Sequence, residues 1–335
     1  MDITAIQNTF DLFGIDQEVN SYILIQETVE IENEKLIILV KTMNGSKYIC
    51  RYYKGSHFSK TVIEQQSQFA DVLKNNGIIT PNKYSCKGSY CLPFTFGNKK
   101  YLTTIEDFLA GNDFGIDLQL FEKLGRLLGC LHRISEKVPT KIDYSAITDS
   151  IVSGKARFEA ILNKTSKIFE ISDCITEIGG LHDELVNQLS KNWCTLPCGS
   201  VHGDLSVFNN IIEVDGSIGI IDFDLAGNET YLSDLLITFY SSLYKYYPDR
   251  KKKNIDVSKA YKVFFRAYLS QRKLTETEIS IFPEMAALFD GLYFSKMLLS
   301  EWNQTHGSIV LKQFDKAYRH FNVYKHLYLM EDDEF

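Results

Sequence analysis

One stretch of the chain, residues 201–224 (VHGDLSVFNNIIEVDGSIGIIDFD), carries side chains with the types and spacing of a metal-assisted reaction. Asp204 is followed, after four intervening residues, by Asn209, and Asp222 lies beyond two short apolar runs. A carboxylate can accept a proton from a hydroxyl group, while an amide oxygen and a second carboxylate can hold a hard cation such as Mg²⁺. The pattern predicts phosphoryl transfer, with Asp204 for the proton and Asn209 and Asp222 for the metal.

The elements that must position these side chains are the two strands of a predicted hairpin. Asp215-Gly216 suits a two-residue turn that needs positive φ angles, and apolar runs flank it at 211–214 and 218–221. This turn pairs Val214 with Ser217, and the same register places Asn209 opposite Asp222. Because opposed residues point to one face with Cβ atoms about 5 Å apart, both ligands would reach one ion.

The segments HGDLSVFNN and IIDFD resemble the aminoglycoside phosphotransferase and choline kinase group, the small-molecule branch of the protein-kinase-like fold. Eukaryotic protein kinases match less well, because they have Arg in place of Gly203 and Gly in place of Asp224. The resemblance implies an α+β fold with two lobes. A small, mostly antiparallel β lobe with one main helix would span residues 1–106, a connector 107–111, and a helical catalytic and acceptor-binding lobe 112–335.

The resemblance also implies which N-terminal residues contact the nucleotide. Arg51, on the third predicted strand, falls where the family has a Lys or Arg that reaches the ATP phosphates, and Lys54 is the alternative. In the family, a Glu on the following helix pairs with this cation. Gln66 falls at that place and could accept a hydrogen bond from Arg51, whereas Glu64 is the alternative partner.

The first predicted hairpin and the connector would enclose the nucleotide. Strands at 22–29 and 36–41 are joined by an acidic turn without glycine, although many kinases have a glycine-rich loop there, so backbone cradling of phosphate is not supported. Further strands are predicted at 84–91 and 101–105. The segment Glu106 to Gly111, which ends the first lobe and forms the connector, resembles the family's interlobe segment. The resemblance implies that backbone groups there, at Glu106 and Phe108, face adenine.

Three further residues are expected to support the catalytic stretch or the core. His202 would hold the catalytic loop through packing and hydrogen bonds. His132, at the end of a leucine-rich helix, is predicted to be a core or capping residue and not a catalyst. Asp234 matches a family Asp that steadies the catalytic loop from behind, and charge compensation at a helix N-terminus is the alternative.

The composition fits a globular enzyme of about two domains and disfavours several other classes. A net charge of −7 over 335 residues argues against a nucleic-acid binder. No signal peptide or membrane span is expected, so the sequence predicts no membrane partner. Seven cysteines without a disulfide framework or zinc-type spacing predict free thiols and a cytoplasmic location. Nothing in the sequence specifies the oligomeric state.

The sequence therefore predicts an ATP- and Mg²⁺-dependent kinase that moves the γ-phosphate to a hydroxyl of a small molecule. Aminoglycosides, choline or ethanolamine, homoserine-like amino alcohols and sugars all stay open as acceptors. A kinase-fold protein that binds nucleotide or a partner without catalysis is the alternative, motivated by Gln66 and the glycine-free hairpin. A protein kinase is disfavoured, because no obvious Ala-Pro-Glu segment follows Asp222.

Overall fold

The N-terminal part of the chain is a five-stranded antiparallel sheet with two helices. The structure, a computed structural model, describes residues 2–30, 33–56, 58–112, 117–145, 193–206, 211–245, 256–286 and 288–289, with isolated residues between 176 and 189. The spatial order of the strands is β1-β2-β3-β5-β4. The elements are α1 Ile3–Phe13, β1 Val19–Glu30, β2 Asn33–Thr42, β3 Lys47–Lys54, α2 Lys60–Asn75, β4 Leu92–Phe96 and β5 Lys99–Asp107.

The two faces of the sheet have different neighbours. Tyr48 and Tyr52 on β3 belong to an apolar cluster with α1, in which the Phe10 and Tyr48 rings are 5.1 Å apart. Arg51 and Tyr53 alternate with them and therefore point to the opposite face. A buried cation thus lies on the face that is turned away from α1.

The strand predicted at 84–91 is wrong, since the fourth strand is β4 and begins at Leu92. Residues 86–89 form a tight turn instead, with positive φ angles at Lys87 and Gly88. The side chain of Glu64 accepts hydrogen bonds from the backbone N–H groups of Tyr90 and Cys91, at 2.8 and 2.9 Å. A side chain of α2 therefore takes the place of a neighbouring strand as hydrogen-bond acceptor.

The C-terminal part is mainly helical and carries two small ribbons of strands. The elements are α3 Leu118–Lys137, a short 3-10 turn Trp193–Thr195, β6 Cys198–Val201, β7 Ile211–Val214, β8 Ser217–Ile220, β9 Gly227–Thr230, α4 Tyr231–Lys245 and α5 Val257–Leu269. Helix α3 begins where Asp117 accepts a hydrogen bond from Leu120 N–H, and its leucine stripe is buried in the core. None of the described helices combines the length and hydrophobicity that a membrane span requires.

Helix α2 joins the two parts of the chain. Its buried residues Phe69, Ala70 and Leu73 belong to the apolar cluster of the C-terminal part, and the Phe69 ring lies 6.2 Å from that of Phe223. Beyond the helix, the Ile79 carbonyl accepts a hydrogen bond of 2.8 Å from the N–H group of Ile220 on β8. The β7-β8 hairpin is therefore held directly against the N-terminal part.

Candidate active site

The β7-β8 hairpin has the register that the sequence predicted. Val214 pairs with Ser217 and Ile211 with Ile220, and the turn residues Asp215 and Gly216 have φ angles of 49° and 78°. A turn with two positive φ angles matches the twist of the strands, which explains the Asp-Gly sequence. Asn209 lies outside the described residues, so its role as a metal ligand stays a prediction.

The predicted catalytic loop begins after β6 with His202, Gly203 and Asp204, and two hydrogen bonds hold it in place. His202 is fully buried, and its Nε2 lies 3.1 Å from the carbonyl oxygen of Ile221. Because a carbonyl only accepts hydrogen bonds, Nε2 carries the proton. The backbone N–H of Gly203 donates to Oδ1 of Asp234 at 3.0 Å. These two bonds hold the loop that bears Asp204 against the residue that precedes Asp222.

A glycine is required at position 203. Its φ angle is 79°, and a Cβ atom placed there would lie 2.3 Å from the carbonyl oxygen of Leu225. Any side chain would therefore be strained and would collide with the backbone beyond Asp222. This close contact gives a physical reason why the chain lacks the arginine that eukaryotic protein kinases have there.

Asp222 has an unusual backbone conformation and an incompletely paired carboxylate. Its φ angle is 61°, which is uncommon for a residue other than glycine, and such conformations concentrate at functional sites. Its Oδ1 atom is buried, lies 3.9 Å from Nη2 of Arg51, and has no hydrogen-bond partner within the described chain. A carboxylate oxygen in this situation is suited to bind a cation.

Asp234 and His132 form a buried pair behind the catalytic loop. Nε2 of His132 lies 2.9 Å from Oδ2 of Asp234, and Nδ1 lies 2.8 Å from the hydroxyl of Tyr268. Burial lowers the pKa of His132 and so favours the neutral ring. His132 is therefore a core residue, as predicted, and Asp234 contacts the catalytic loop in the way that the resemblance implied.

Arg51 has a different partner from the one expected. Its Nη1 lies 2.5 Å from Oε1 of Glu106, and Nζ of Lys83 lies 2.6 Å from the other oxygen of that carboxylate. Burial raises the pKa of Glu106, but the adjacent Arg51 and Lys83 outweigh it and hold the pKa below its usual value. Glu106 lies within β5 and its side chain is a buried ion-pair partner, whereas the contact of its backbone with adenine stays a prediction.

The two helix residues considered as partners of Arg51 have other roles. Gln66 donates from Nε2 to the carbonyl oxygens of Asp224 and Ala226, at 2.9 and 3.0 Å, and the carboxylate of Glu64 binds the turn that precedes β4. The prediction that Gln66 accepts a hydrogen bond from Arg51 is therefore wrong. Gln66 instead connects α2, through these hydrogen bonds, to the segment that follows Asp222.

The structure also revises the expectations for Phe108 and Lys54. The N–H group of Phe108 donates to the carbonyl oxygen of Lys47 at 3.0 Å, so this N–H is used by the sheet and is not available to adenine. Nζ of Lys54 lies 3.7 Å from Glu34, whose other partner Tyr101 belongs to the cluster with α1. Lys54 thus lies on the face opposite Arg51 and is not an alternative phosphate cation.

A second ion pair, which sequence reasoning missed, lies beside Asp222. Nζ of Lys35 pairs with Oδ2 of Asp224, and the hydroxyl of Tyr53 donates to Oδ1 at 2.9 Å. Burial raises the pKa of Asp224, but Arg51 and Lys35 outweigh it, so the pKa is lowered. The strand register offered a signal, because Lys35 pairs with Tyr53 and therefore shares the face of Arg51.

The site fits a nucleotide and a divalent cation. Nε of Arg51 is buried without a hydrogen-bond partner in the described part of the chain, as is Oδ1 of Asp222. A guanidinium N–H suits phosphate oxygen, and a carboxylate oxygen suits Mg²⁺. The described residues contain no group of three or more His, Cys, Asp and Glu that could hold a metal by itself.

Comparisons with known proteins identify relatives of this chain and of its fold. The chain is 27% identical over 278 residues to homoserine kinase from Nitrobacter hamburgensis, covering 80% of this chain and 76% of that protein. Two solved structures share the fold and confirm the predicted α+β, protein-kinase-like architecture. An amicoumacin kinase in complex with AMP-PNP and Ca²⁺ has a TM-score of 0.64 at 17% identity, covering 96% of this chain and 94% of its own. A microcompartment-associated aminopropanol kinase has a TM-score of 0.55 at 15% identity, covering 98% and 97%.

The family match decides the class of protein. Residues 28–262 match the family of phosphotransferase enzymes. This range includes the Arg51 strand, α2, the catalytic loop and the β7-β8 hairpin, and it spans well over half of the chain. This protein therefore belongs to the phosphotransferase enzyme family.

Proposed function

We propose that this protein transfers the γ-phosphate of ATP, with Mg²⁺, to a hydroxyl group of a small molecule. The observation that carries the proposal is the facing pair of Arg51 and Asp222, 3.9 Å apart, each with a buried polar atom that has no partner among the described residues. One atom suits a phosphate and the other a metal ion, and the loop that bears Asp204 is fixed next to them.

Each residue has a distinct role in this proposal. Asp204 orients the acceptor hydroxyl and accepts its proton. His202 and Asp234 hold the catalytic loop through the contacts with Ile221 O and Gly203 N–H. Arg51 binds the phosphates, and Asp222 holds Mg²⁺ together with Asn209. When bound, Mg²⁺ supplies charge compensation for the transferred group.

Among the acceptors that the sequence left open, a homoserine-like amino alcohol has the most support. The curated relative is a homoserine kinase that matches along most of both chains, and one of the structural neighbours is an aminopropanol kinase. Both names describe small molecules with an amino group and a hydroxyl. Choline or ethanolamine, aminoglycosides and sugars complete the panel of acceptors.

The test is an assay of ADP formation with ATP, Mg²⁺ and each acceptor in turn, for the wild type and Asp204→Asn. We expect acceptor-dependent turnover that falls by about 10³-fold in the variant, with the affinity for Mg²⁺-nucleotide nearly unchanged. Asp222→Ala should instead weaken the binding of Mg²⁺-nucleotide, measured by calorimetry.

The matched control is Asp215→Asn, which removes an exposed carboxylate from the turn of the same hairpin. Asn tolerates the left-handed conformation that this position needs, so we expect wild-type turnover. Full activity of Asp204→Asn would disprove the catalytic assignment. Nucleotide binding without transfer to any acceptor would support the alternative of a non-catalytic nucleotide-binding protein.

A further inference from the structure

Lys35 lies on the same face of the sheet as Arg51, closer to the end of the β1-β2 hairpin. On β2, Ile37 pairs with Arg51 and Lys35 pairs with Tyr53. Paired residues and residues two apart share a face. On the face that is turned away from α1, Lys35 therefore occupies the next position after the Arg51 pair in the direction of the turn that joins β1 and β2.

The ammonium of Lys35 is held next to the metal-binding acid. Its Nζ atom pairs with Asp224, two residues after Asp222, and its side chain is only 17% exposed. The hydroxyl of Tyr53 binds the other oxygen of Asp224 at 2.9 Å. An ammonium has three N–H donors, so contact with one carboxylate leaves donors for a further acceptor.

These donors border a cavity between the hairpin, the start of α2 and the segment after Asp222. The cavity has a volume of about 410 Å³, and Lys35 is the only cation among the described residues that line it. Thr28 and Asn33 of the hairpin, Ser59 and Gln66 at the start of α2, and Asp224 also line it. Tyr53 on β3 and Tyr144 after α3 complete the polar lining. The cavity is large enough for a small polar ligand.

We propose that Lys35 is a phosphate-binding residue, whose ammonium binds the β- or γ-phosphate of the nucleotide. The inference rests on the proposed function. Kinases with a glycine-rich first hairpin bind these phosphates through backbone N–H groups, and residues 30–34 of this chain (EIENE) contain no glycine. A lysine side chain provides charge-assisted hydrogen bonds to phosphate in their place.

A purely structural role for the ion pair between Lys35 and Asp224 predicts a different result. If Lys35 only tied β2 to Asp224, its loss would weaken all adenine nucleotides equally through a looser site. If Lys35 binds the terminal phosphates, its loss weakens nucleotides according to the number of phosphates they carry. AMP lacks both β- and γ-phosphate, so it separates the two roles.

The experiment is calorimetric titration of Lys35→Met with Mg²⁺-AMP-PNP, ADP and AMP. We expect the affinity for AMP-PNP to fall by about 10-fold or more, while the affinity for AMP changes by no more than about 2-fold. Lys35→Arg keeps the charge and the donors and should recover most of the affinity. Lys35→Gln, which removes the charge but keeps a polar N–H donor on a shorter side chain, replaces the Met variant if that variant does not fold.

The matched control is Lys54→Met, which removes an ammonium from the adjacent strand on the opposite face. We expect no change in the affinity for any of the three nucleotides. Equal losses for AMP and AMP-PNP in Lys35→Met, or no loss at all, would overturn the inference and leave the proposed function intact. A wild-type protein that binds no adenine nucleotide would overturn both.

Discussion

On each face of the N-terminal sheet, charged residues surround one buried carboxylate, Glu34 or Glu106, and the two clusters are built differently. The outer cluster consists of Glu34, Lys54, Lys99 and Tyr101, and the inner cluster of Arg51, Lys83, Glu106 and Asp222. In the outer cluster, one oxygen of Glu34 accepts from Tyr101 and the other from Lys99, both at 2.8 Å. Its central carboxylate is thus fully paired by protein groups.

The inner cluster is not complete in this way. Glu106 is paired on both oxygens, but Nε of Arg51 and Oδ1 of Asp222 have no hydrogen-bond partner in the chain as described. Leaving a buried polar atom unpaired costs about 1–3 kcal/mol, so the proposed binding of phosphate and metal depends on these two atoms. The comparison separates a cluster whose central carboxylate is fully paired from one that also contains two buried polar atoms without a partner among the described residues.

The largest effect should come from Arg51→Met in the inner cluster. If Arg51 binds the phosphates as proposed, removing its guanidinium should lower the affinity for Mg²⁺-AMP-PNP by about 100-fold. It also breaks a buried ion pair, which should lower the free energy of unfolding by about 3 kcal/mol. Calorimetry and urea denaturation measure the two effects.

Lys83→Met is the control for this variant, because it removes the other cation of Glu106 and leaves Arg51 in place. It should lower stability to a similar degree but have a smaller effect on nucleotide affinity. If Arg51→Met binds nucleotide as tightly as the wild type, the inner cluster is structural and the contrast between the clusters fails.

A smaller effect is expected from Glu34→Gln in the outer cluster. Burial raises the pKa of Glu34, but hydrogen bonds from Lys99 and Tyr101 outweigh it, so the pKa lies below its usual value of 4.5. A lowered pKa stabilises the folded protein above the ordinary value, and this contribution is lost as the pH falls through the folded-state pKa. The variant should lose about 1 kcal/mol at neutral pH.

The pH dependence provides the measurement for Glu34. The free energy of unfolding of the wild type should fall more steeply between about pH 6 and about pH 3 than that of Glu34→Gln. Nucleotide affinity at neutral pH should be the same in both proteins. Parallel pH curves would show that Glu34 does not stabilise the fold through its charge.

The smallest effect is expected from Lys99→Met, also in the outer cluster. The side chain of Lys99 is 48% exposed, and ion pairs of exposed lysines contribute little to stability. Tyr101 continues to bind Glu34 in this variant. Thermal denaturation should therefore show a midpoint close to that of the wild type. A much lower midpoint would mean that Glu34 needs Lys99 as well as Tyr101 to stabilise the fold.

The catalytic hairpin could be predicted from the sequence because its information is local. Asp215 and Gly216 define the turn, and the turn fixes every pair along β7 and β8. The contact between Asp234 and the catalytic loop also followed from the resemblance, since the motif spans few residues.

The partners of the inner cluster could not be predicted, because they depend on how distant strands pair. Arg51 and Glu106 meet only because β3 and β5 are neighbours in the sheet, and no sequence pattern specified that contact. The strand expected at 84–91 failed for a similar reason. Glu64, 26 and 27 positions earlier in the chain, accepts hydrogen bonds from the backbone N–H groups of residues 90 and 91, which directly follow the turn.

Helix α2 precedes the connector in the chain, yet Phe69 and Leu73 are buried in the interior of the C-terminal part, next to Phe223. During synthesis the helix emerges from the ribosome long before the residues that cover it. Until residues such as Phe223 have been synthesised, we expect the apolar stripe of α2 to be exposed to water or bound by a chaperone. We therefore expect the N-terminal part to complete its packing only after the C-terminal part has been made.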